Sequence, residues 1–371
     1  MSIYLDNAAS TRVKSNVLAK FNTVAQSLYG NPSSEHTEGY LADVCIEMTK
    51  GSIAEKLNCE NNEIYFTSGA TMSNNVLIQG VMRKRPETMF VTSNVEHNDI
   101  MELYDWLPYS KYMVPVNIDG QVNFGELKKY LFTCQATNKP CLVSIQMANS
   151  ETGIIQPIAK IAEMVHEYGA YLHTDATQYI PYYPIDVKAM GIDALSMSGQ
   201  KIGGIKGSGL LYIKEELQEH VAPIIFGEQG LIGGTPSTPL IASLGEAFVT
   251  IDYNCSLKRH KRDVLLSCLQ ELGAVLVGGT DNRLPNNIFC RFPGVNGLTL
   301  MNLLNEQDIY IGTGSACSTD SDKPSHVALA YGLTENEAFE CVRFTLSNEN
   351  TLEEIKHTVR VIKAILPLIV K

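Results

Sequence analysis

Four short stretches of this chain hold residues whose types and order could do chemistry. Thr67-Ser68-Gly69-Ala70-Thr71 is a run of small and hydroxyl residues. Placed between a strand and a helix, such a run lets backbone N–H groups approach an anion, and the helix dipole favours negative charge there. Phosphate suits that place, although Ser and Thr also serve as ordinary helix caps. Asp175, in Thr174-Asp175-Ala176-Thr177-Gln178, ends an apolar run. A carboxylate there could keep a pyridinium nitrogen protonated, or it could cap a helix. Lys201 closes Ser196-Met197-Ser198-Gly199-Gln200-Lys201 and leads into the glycine-rich Gly203-Gly204-Ile205-Lys206-Gly207-Ser208-Gly209. A lysine whose pKa is lowered could attack a carbonyl, whereas a lysine in a solvated turn would stay an inert ammonium. Cys317 lies in Gly312-Thr313-Gly314-Ser315-Ala316-Cys317-Ser318-Thr319-Asp320-Ser321-Asp322, a run almost without hydrophobic residues. A core role is therefore not expected for it. A polar loop suits a nucleophile that must travel, and an incidental exposed thiol is the other reading.

For these residues to meet, the first three stretches must follow strands of one sheet, where open α/β sheets place their ligands. Short apolar runs at Ile64–Thr67, Met89–Thr92, Cys141–Ile145 and Tyr171–Thr174 read as strands. Helical patterns lie between them: from Ala70, near His97, and over Ile158–Tyr168, where Ile158, Ile161, Ala162 and Val165 share a face. The alternation predicts a mostly parallel sheet covered by helices on both faces. After about residue 245 the pattern changes. A helix over 256–272, short strands at 274–277 and 287–291, and helices near 297–306 and 351–366 predict a smaller α+β domain. Thr351 and Glu354 have capping-box spacing. The expected division is 15–245 for a large cofactor-binding domain, and 246–371 with 1–14 for a small domain carrying the Cys317 loop.

Composition narrows the function. The chain has 371 residues and a net charge of −11. Lys258, Arg259, Lys261 and Arg262 form only a short basic cluster, read as the solvated face of a helix, so a nucleic-acid binder is not expected. No run of about 18 apolar residues occurs, so no membrane span is expected. No basic segment followed by an apolar run opens the chain, so a cytoplasmic location is expected. The nine cysteines include no Cys-x-x-Cys pair, which argues against a metal site or a redox dithiol. Cys45, Cys268 and Cys290 sit among apolar residues and read as core thiols.

The order of the four stretches, a phosphate loop, then Asp175, then Lys201 26 residues later, then Cys317, carries a resemblance. The chain resembles the cysteine desulfurases, a NifS/IscS-like branch of the class V pyridoxal-phosphate enzymes with the type I transferase fold. It is similar to the subgroup whose nucleophile lies in a Ser-Gly-Ser-Ala-Cys motif, with Thr313 in the first place here. The likeness runs from Tyr4-Leu5-Asp6-Asn7-Ala8-Ala9 through Gly30-Asn31-Pro32-Ser33-Ser34 to Val342-Arg343-Phe344. The resemblance implies pyridoxal 5′-phosphate on Lys201, with Asp175 on its ring nitrogen and His97 stacked on the ring. It also implies a phosphate held by Ala70, Thr71 and Ser198, and Gln178 on the phenolic oxygen. Arg343 would clamp the substrate carboxylate, with Asn149 beside it. Thr235 would reach the phosphate of a second subunit, which implies a homodimer. Cys317 would take sulfur from L-cysteine, leave L-alanine, and pass its persulfide to an acceptor such as an iron–sulfur scaffold or a tRNA-thiolation enzyme. A selenocysteine lyase or an aminotransferase of the same class is the alternative; neither needs Cys317.

The chain departs from that pattern around the site. Gln200 stands where His commonly precedes the lysine, and Ser150 where an Asn contacts the phenolic oxygen. Met72 replaces a common acidic residue. The segment 227–235 lacks the family's arginines, and Ser347-Asn348-Glu349-Asn350 replaces a Gly-Arg pair. Cofactor affinity and rate are where these changes are expected to act.

Overall fold

A computed structural model describes residues 2–227, 230–314 and 323–370. The chain opens with a two-residue strand, β1 (Ile3–Tyr4), and the helices α1 (Ser15–Ser27) and α2 (Thr37–Leu57). Strands and helices then alternate: β2 (Ile64–Thr67), α3 (Ala70–Lys84), β3 (Met89–Ser93), α4 (Asn98–Trp106), β4 (Lys111–Val114), α5 (Phe124–Ala136), β5 (Cys141–Ser144), α6 (Ile158–Glu167) and β6 (Tyr171–Asp175). Two further strands, β7 (Ala194–Ser198) and β8 (Gly209–Ile213), precede α7 (Glu215–Gln218) and α8 (Thr238–Val249).

Among the described residues, β2 to β8 make a seven-stranded sheet in the order β2-β8-β7-β6-β5-β3-β4. It is parallel except for β8, which runs antiparallel to both β2 and β7. Every residue of β3, β5, β6 and β7 is buried except Tyr171, as expected of parallel strands covered on both faces. Each strand of the run β3, β5, β6 is followed by a turn at its carboxyl end, and His97, Ser150 and Asp175 sit at those ends.

A second unit follows: α9 (Ser256–Glu271), β9 (Val275–Leu276), β10 (Asn287–Arg291), α10 (Gly297–Asn305), β11 (Ile309–Tyr310), β12 (Gly312–Thr313), α11 (His326–Ala330), α12 (Glu335–Ala338), β13 (Cys341–Thr345) and α13 (Leu352–Ile369). The sheet β12-β13-β10-β9 is antiparallel. Its buried Ile288, Val342 and Phe344 pack with Leu300, Leu304 and Ile362 of the covering helices. The expected capping box starts α13: Thr351 Oγ1 accepts from the Glu354 N–H at 3.1 Å, and Glu354 Oε2 accepts from the Thr351 N–H at 2.9 Å. The N-terminus joins this unit, because β1 pairs with β11 in parallel and Asp6 bridges to Thr345. No helix among the described residues is long and apolar enough to cross a membrane.

Two sequence expectations fail here. The basic cluster on α9 is not a solvated face: Lys258, Lys261 and Arg262 are buried. Their apolar stems pack inward while their heads reach polar partners. Lys261 donates to the Asn348 carbonyl at 2.9 Å, Arg262 to the Leu284 carbonyl at 3.3 Å, and the Lys258 ammonium sits 5.3 Å from the Tyr182 ring centre. Of the three cysteines read as core thiols, Cys290 is buried, whereas Cys45 and Cys268 lie on partly exposed helix faces.

Candidate functional site

The phosphate-type loop forms where β2 turns into α3. Gly69 caps the helix with φ +152°, a conformation that favours glycine, and a Cβ there would stand 3.2 Å from Ser198 Oγ. That close approach lets the Ala70 N–H donate to Ser198 Oγ at 2.8 Å, tying the end of β7 to the helix start. The first-turn N–H groups of α3 have no carbonyl within their own helix, so this end is built to receive an anion. Three residues beyond Ser198, Lys201 ends a short 3-10 turn. Its ammonium donates to the carbonyls of Ala8 at 2.7 Å and Ala9 at 2.5 Å, and Gln178 Nε2 donates to the same Ala8 carbonyl at 3.0 Å. The N-terminal segment that belongs to the second unit therefore closes one wall of the site.

Asp175 stands at the end of β6, with Oδ1 accepting from the Thr177 N–H at 2.9 Å. Asn74, one turn into α3, uses its amide to join two acids: it donates to Asp175 Oδ2 and to Asp99 Oδ2, each at 3.1 Å. Asp99 in turn meets His97 Nδ1 at 2.9 Å. The order His97–Asp99–Asn74–Asp175 is thus one hydrogen-bonded chain along a wall of the cavity. Burial, then the neighbouring Asp99 charge, push the Asp175 carboxyl up. Burial alone would raise Asp99 as well. Its hydrogen bonds and charge interaction with His97, with help from Asn74 and Thr71, hold it below the ordinary value. Beneath this chain lies Glu96, fully buried, taking the Ser93 hydroxyl on one oxygen and the Gln146 N–H on both, at 3.1 and 3.0 Å. Burial pushes its carboxyl up to about 8.

Arg343, on β13, is 2% exposed. One terminal nitrogen donates to the Ser150 carbonyl at 2.9 Å and the other to Asp6 at 2.7 Å, which fixes the plane of the guanidinium. Its Nε has no hydrogen-bond partner among the described residues.

One cavity is lined by Ala70, Thr71, His97, Ser150, Asp175, Gln178, Ser198, Gln200, Lys201 and Arg343, all residues named from the sequence. Two other predicted residues among those described are not on it. Asn149 is consumed by its own turn: its amide donates to the Val95 carbonyl, and its oxygen accepts from the Glu151 and Thr152 N–H groups. Both ends of its amide are therefore engaged by backbone. Thr235 is exposed and sits instead in a groove with Ser68 and Met72. Cys317 lies outside the described residues. Sequence reading missed Asn74, Asp99, Glu96 and Asp6. Asp99 carried a signal, since an acid two residues after His97 at a helix start is placed to meet its ring.

These residues fit pyridoxal 5′-phosphate. The cavity offers an anion-receiving helix end, an amine, an imidazole and a buried carboxylate that a protonated ring nitrogen would pair with.

Residues 3–357 match the family described as aminotransferase class-V. A cysteine desulfurase of Sinorhizobium fredii is 38% identical, covering 98% of this chain and 96% of that protein. Cysteine desulfurase IscS of Methanosarcina thermophila is 34% identical, covering 98% and 92%. A solved NifS-like protein superposes with a TM-score of 0.91 at 30% identity over the whole of both chains. With that extent of likeness, and with one cavity holding the lysine, the acid and the arginine, the chain belongs to the class-V aminotransferases, in the branch of the cysteine desulfurases.

Proposed function

We propose that this chain takes sulfur from L-cysteine onto Cys317 as a persulfide, releases L-alanine, and hands the sulfur to an acceptor protein. The observation that carries this reading is the meeting of Lys201, Asp175, His97 and Arg343 on one cavity, with Arg343 paired in register to Gly312 of β12, five residues before Cys317 in the chain.

Pyridoxal 5′-phosphate, the cofactor of this enzyme class, supplies when bound a protonated ring that draws electrons from the substrate α-carbon. Lys201 would hold it, Ala70, Thr71 and Ser198 its phosphate, Asp175 its ring nitrogen, His97 its face, and Gln178 its phenolic oxygen, with Ser150 and Gln200 beside them. Arg343 binds the substrate carboxylate with the N–H groups that Ser150 and Asp6 leave over. Lys201 carries a proton at the substrate α-carbon. The Cys317 thiolate attacks the substrate sulfur: an S–S bond forms, and the Cβ–S bond breaks with its electron pair left on carbon. A proton completes the methyl group of alanine, so one thiol becomes a persulfide and no outside oxidant or reductant is needed.

Two copies of the chain belong to this reading. The outer face of α2 exposes Tyr40, Leu41 and Met48, and the groove beside it runs from Ile46 past Ser68 and Met72 to Thr235. A contiguous apolar surface of this kind suits a partner, and it would carry Thr235 toward a second phosphate site. The division near residue 245 is part of the same reading, supported by two main cores, one drawn from residues 17–248 and the other from 3–5 and 265–366.

The test is direct. Cofactor-loaded protein is incubated with L-cysteine and the peptides are weighed. One added sulfur on the Cys317 peptide, with alanine released, is expected, and Cys317→Ala should show neither sulfur transfer nor its acceptor-dependent turnover. Sulfur transfer that survives Cys317→Ala would replace this reading with a lyase.

A further inference from the structure

The residue after Ser150 has no part in the chemistry above. Glu151 is 7% exposed, in the turn whose Ser150 carbonyl holds Arg343. Its Oε2 accepts from the Ser325 hydroxyl at 2.6 Å, and a Cβ built on Gly314 would stand 2.6 Å from the same oxygen. Gly314 and Ser325 flank the Cys317 stretch: Cys317 comes three residues after the first and eight before the second. One carboxylate oxygen thus touches the chain on both sides of the nucleophile.

The backbone that carries it is held on both sides. Asn149 Oδ1 accepts from the Glu151 N–H at 2.9 Å, and the Glu151 carbonyl accepts from Asn287 Nδ2 at 2.9 Å. A second tie lies beside the first. Ser325 caps α11, accepting from the Ala328 N–H at 3.1 Å, and the next residue, His326, donates from Nε2 to the Glu96 carbonyl at 2.9 Å. Glu96 precedes His97 on the cavity wall. The chain flanking Cys317 is therefore tied to two turns of the large sheet, one gripping Arg343 and one presenting His97. Burying a carboxylate is costly, and an apolar contact would anchor a loop base as well. A short O–H···O⁻ bond adds a fixed direction that an apolar contact lacks.

We infer that Glu151, acting through Ser325 and Gly314, is a positioning residue that sets the path by which Cys317 reaches the sulfur of a substrate held by Arg343. This rests on the desulfurase reading. Misplacement of a nucleophile by about 1 Å costs on the order of 100-fold in rate.

The test uses cofactor-loaded protein carrying Glu151→Ala, Ser325→Ala or Gly314→Ala, with Glu151→Gln and Ser325→Thr as rescues, since both keep the hydrogen bond. Three readouts are taken: cysteine binding from the change in visible absorption, the single-turnover rate of persulfide formation at Cys317, and, without cofactor, the rate at which iodoacetamide alkylates Cys317. Expected are cysteine affinity within about 2-fold of the parent and a persulfide step slowed about 10- to 100-fold. Altered alkylation of Cys317 and substantial recovery in the two rescues are also expected. Parental persulfide and alkylation rates in all variants would overturn the inference. So would cysteine binding and persulfide formation falling together with no recovery in the rescues. If Glu151→Ala does not fold, the Ser325 pair decides alone. A parent chain that forms no persulfide on Cys317 would overturn both this inference and the functional reading.

Discussion

Replacing Glu96 by Gln should change how stability depends on pH. Glu96 is wholly buried, and burial, opposed by hydrogen bonds from Ser93 and Gln146 and reinforced by the charges of Asp175 and Asp99, raises its carboxyl from 4.5 to about 8. The folded chain therefore keeps a proton that the unfolded chain gives up. Across that window the native state binds more protons than the unfolded one, so stability falls as pH rises. The stability is fully present below the unfolded pKa and is lost on the way up to the folded one. At 1.36 kcal/mol per unit, the parent loses about 2.5 kcal/mol from about pH 5 to 7 and about 1.4 kcal/mol more from about 7 to 9. Glu96→Gln carries no titrating proton, and its oxygen can still accept from the Gln146 N–H. The assay is urea denaturation of cofactor-free parent and variant at the three pH values, followed by far-ultraviolet circular dichroism. Subtracting one from the other cancels every other titrating group. The variant should gain about 4 kcal/mol relative to the parent between the lowest and highest pH. Two curves that run parallel would refute the assignment of a proton to buried Glu96.

Asn74→Leu removes the amide that joins Asp99 to Asp175 and should destabilise the cofactor-free chain by about 3 to 6 kcal/mol, two hydrogen bonds to charged groups at about 1.5 to 3 each. A fall in Tm and weaker uptake of pyridoxal phosphate, read by visible absorption, would check it. Arg343→Lys keeps the charge but loses the planar fork held by Ser150 and Asp6, so the KM for cysteine should rise about 10- to 100-fold in steady-state alanine release.

Four of the seven strands of the large sheet were legible because they are short, largely apolar runs with turn residues at their carboxyl ends, and Ala70, Asp175 and Lys201 announce themselves by residue type. Helix α2 was not legible: Tyr40, Leu41 and Met48 lie on its outer face and Ile46, Ile53 and Leu57 on its inner one, so its hydrophobic residues do not form a stripe. Asn74 and Glu96 were missed for a different reason. Each acts through groups distant in sequence, Asn74 on an acid 101 residues away and Glu96 on a peptide 50 residues away, and nothing in the local pattern tells a bridging amide from a surface one. Asn149 and Ser150, two neighbours of a tight turn, divide the work, one closing the turn and the other lining the cavity. The α9 cations misled because charge was taken to mean solvent, although long stems let Lys261 reach the Asn348 carbonyl and Lys258 the Tyr182 ring from buried positions.

The pairing of β1 with β11, and of Asp6 with Arg343, also bears on synthesis in the cell. Residues 3–6 have no partner until residues 309–345 have been added, roughly 15 to 70 s later at about 5 to 20 residues per second. The large sheet can assemble meanwhile, with its substrate arginine still unmade. An emerging chain thus cannot expose a finished active site, and a nascent fragment truncated before β13 would lack the arginine needed to grip cysteine.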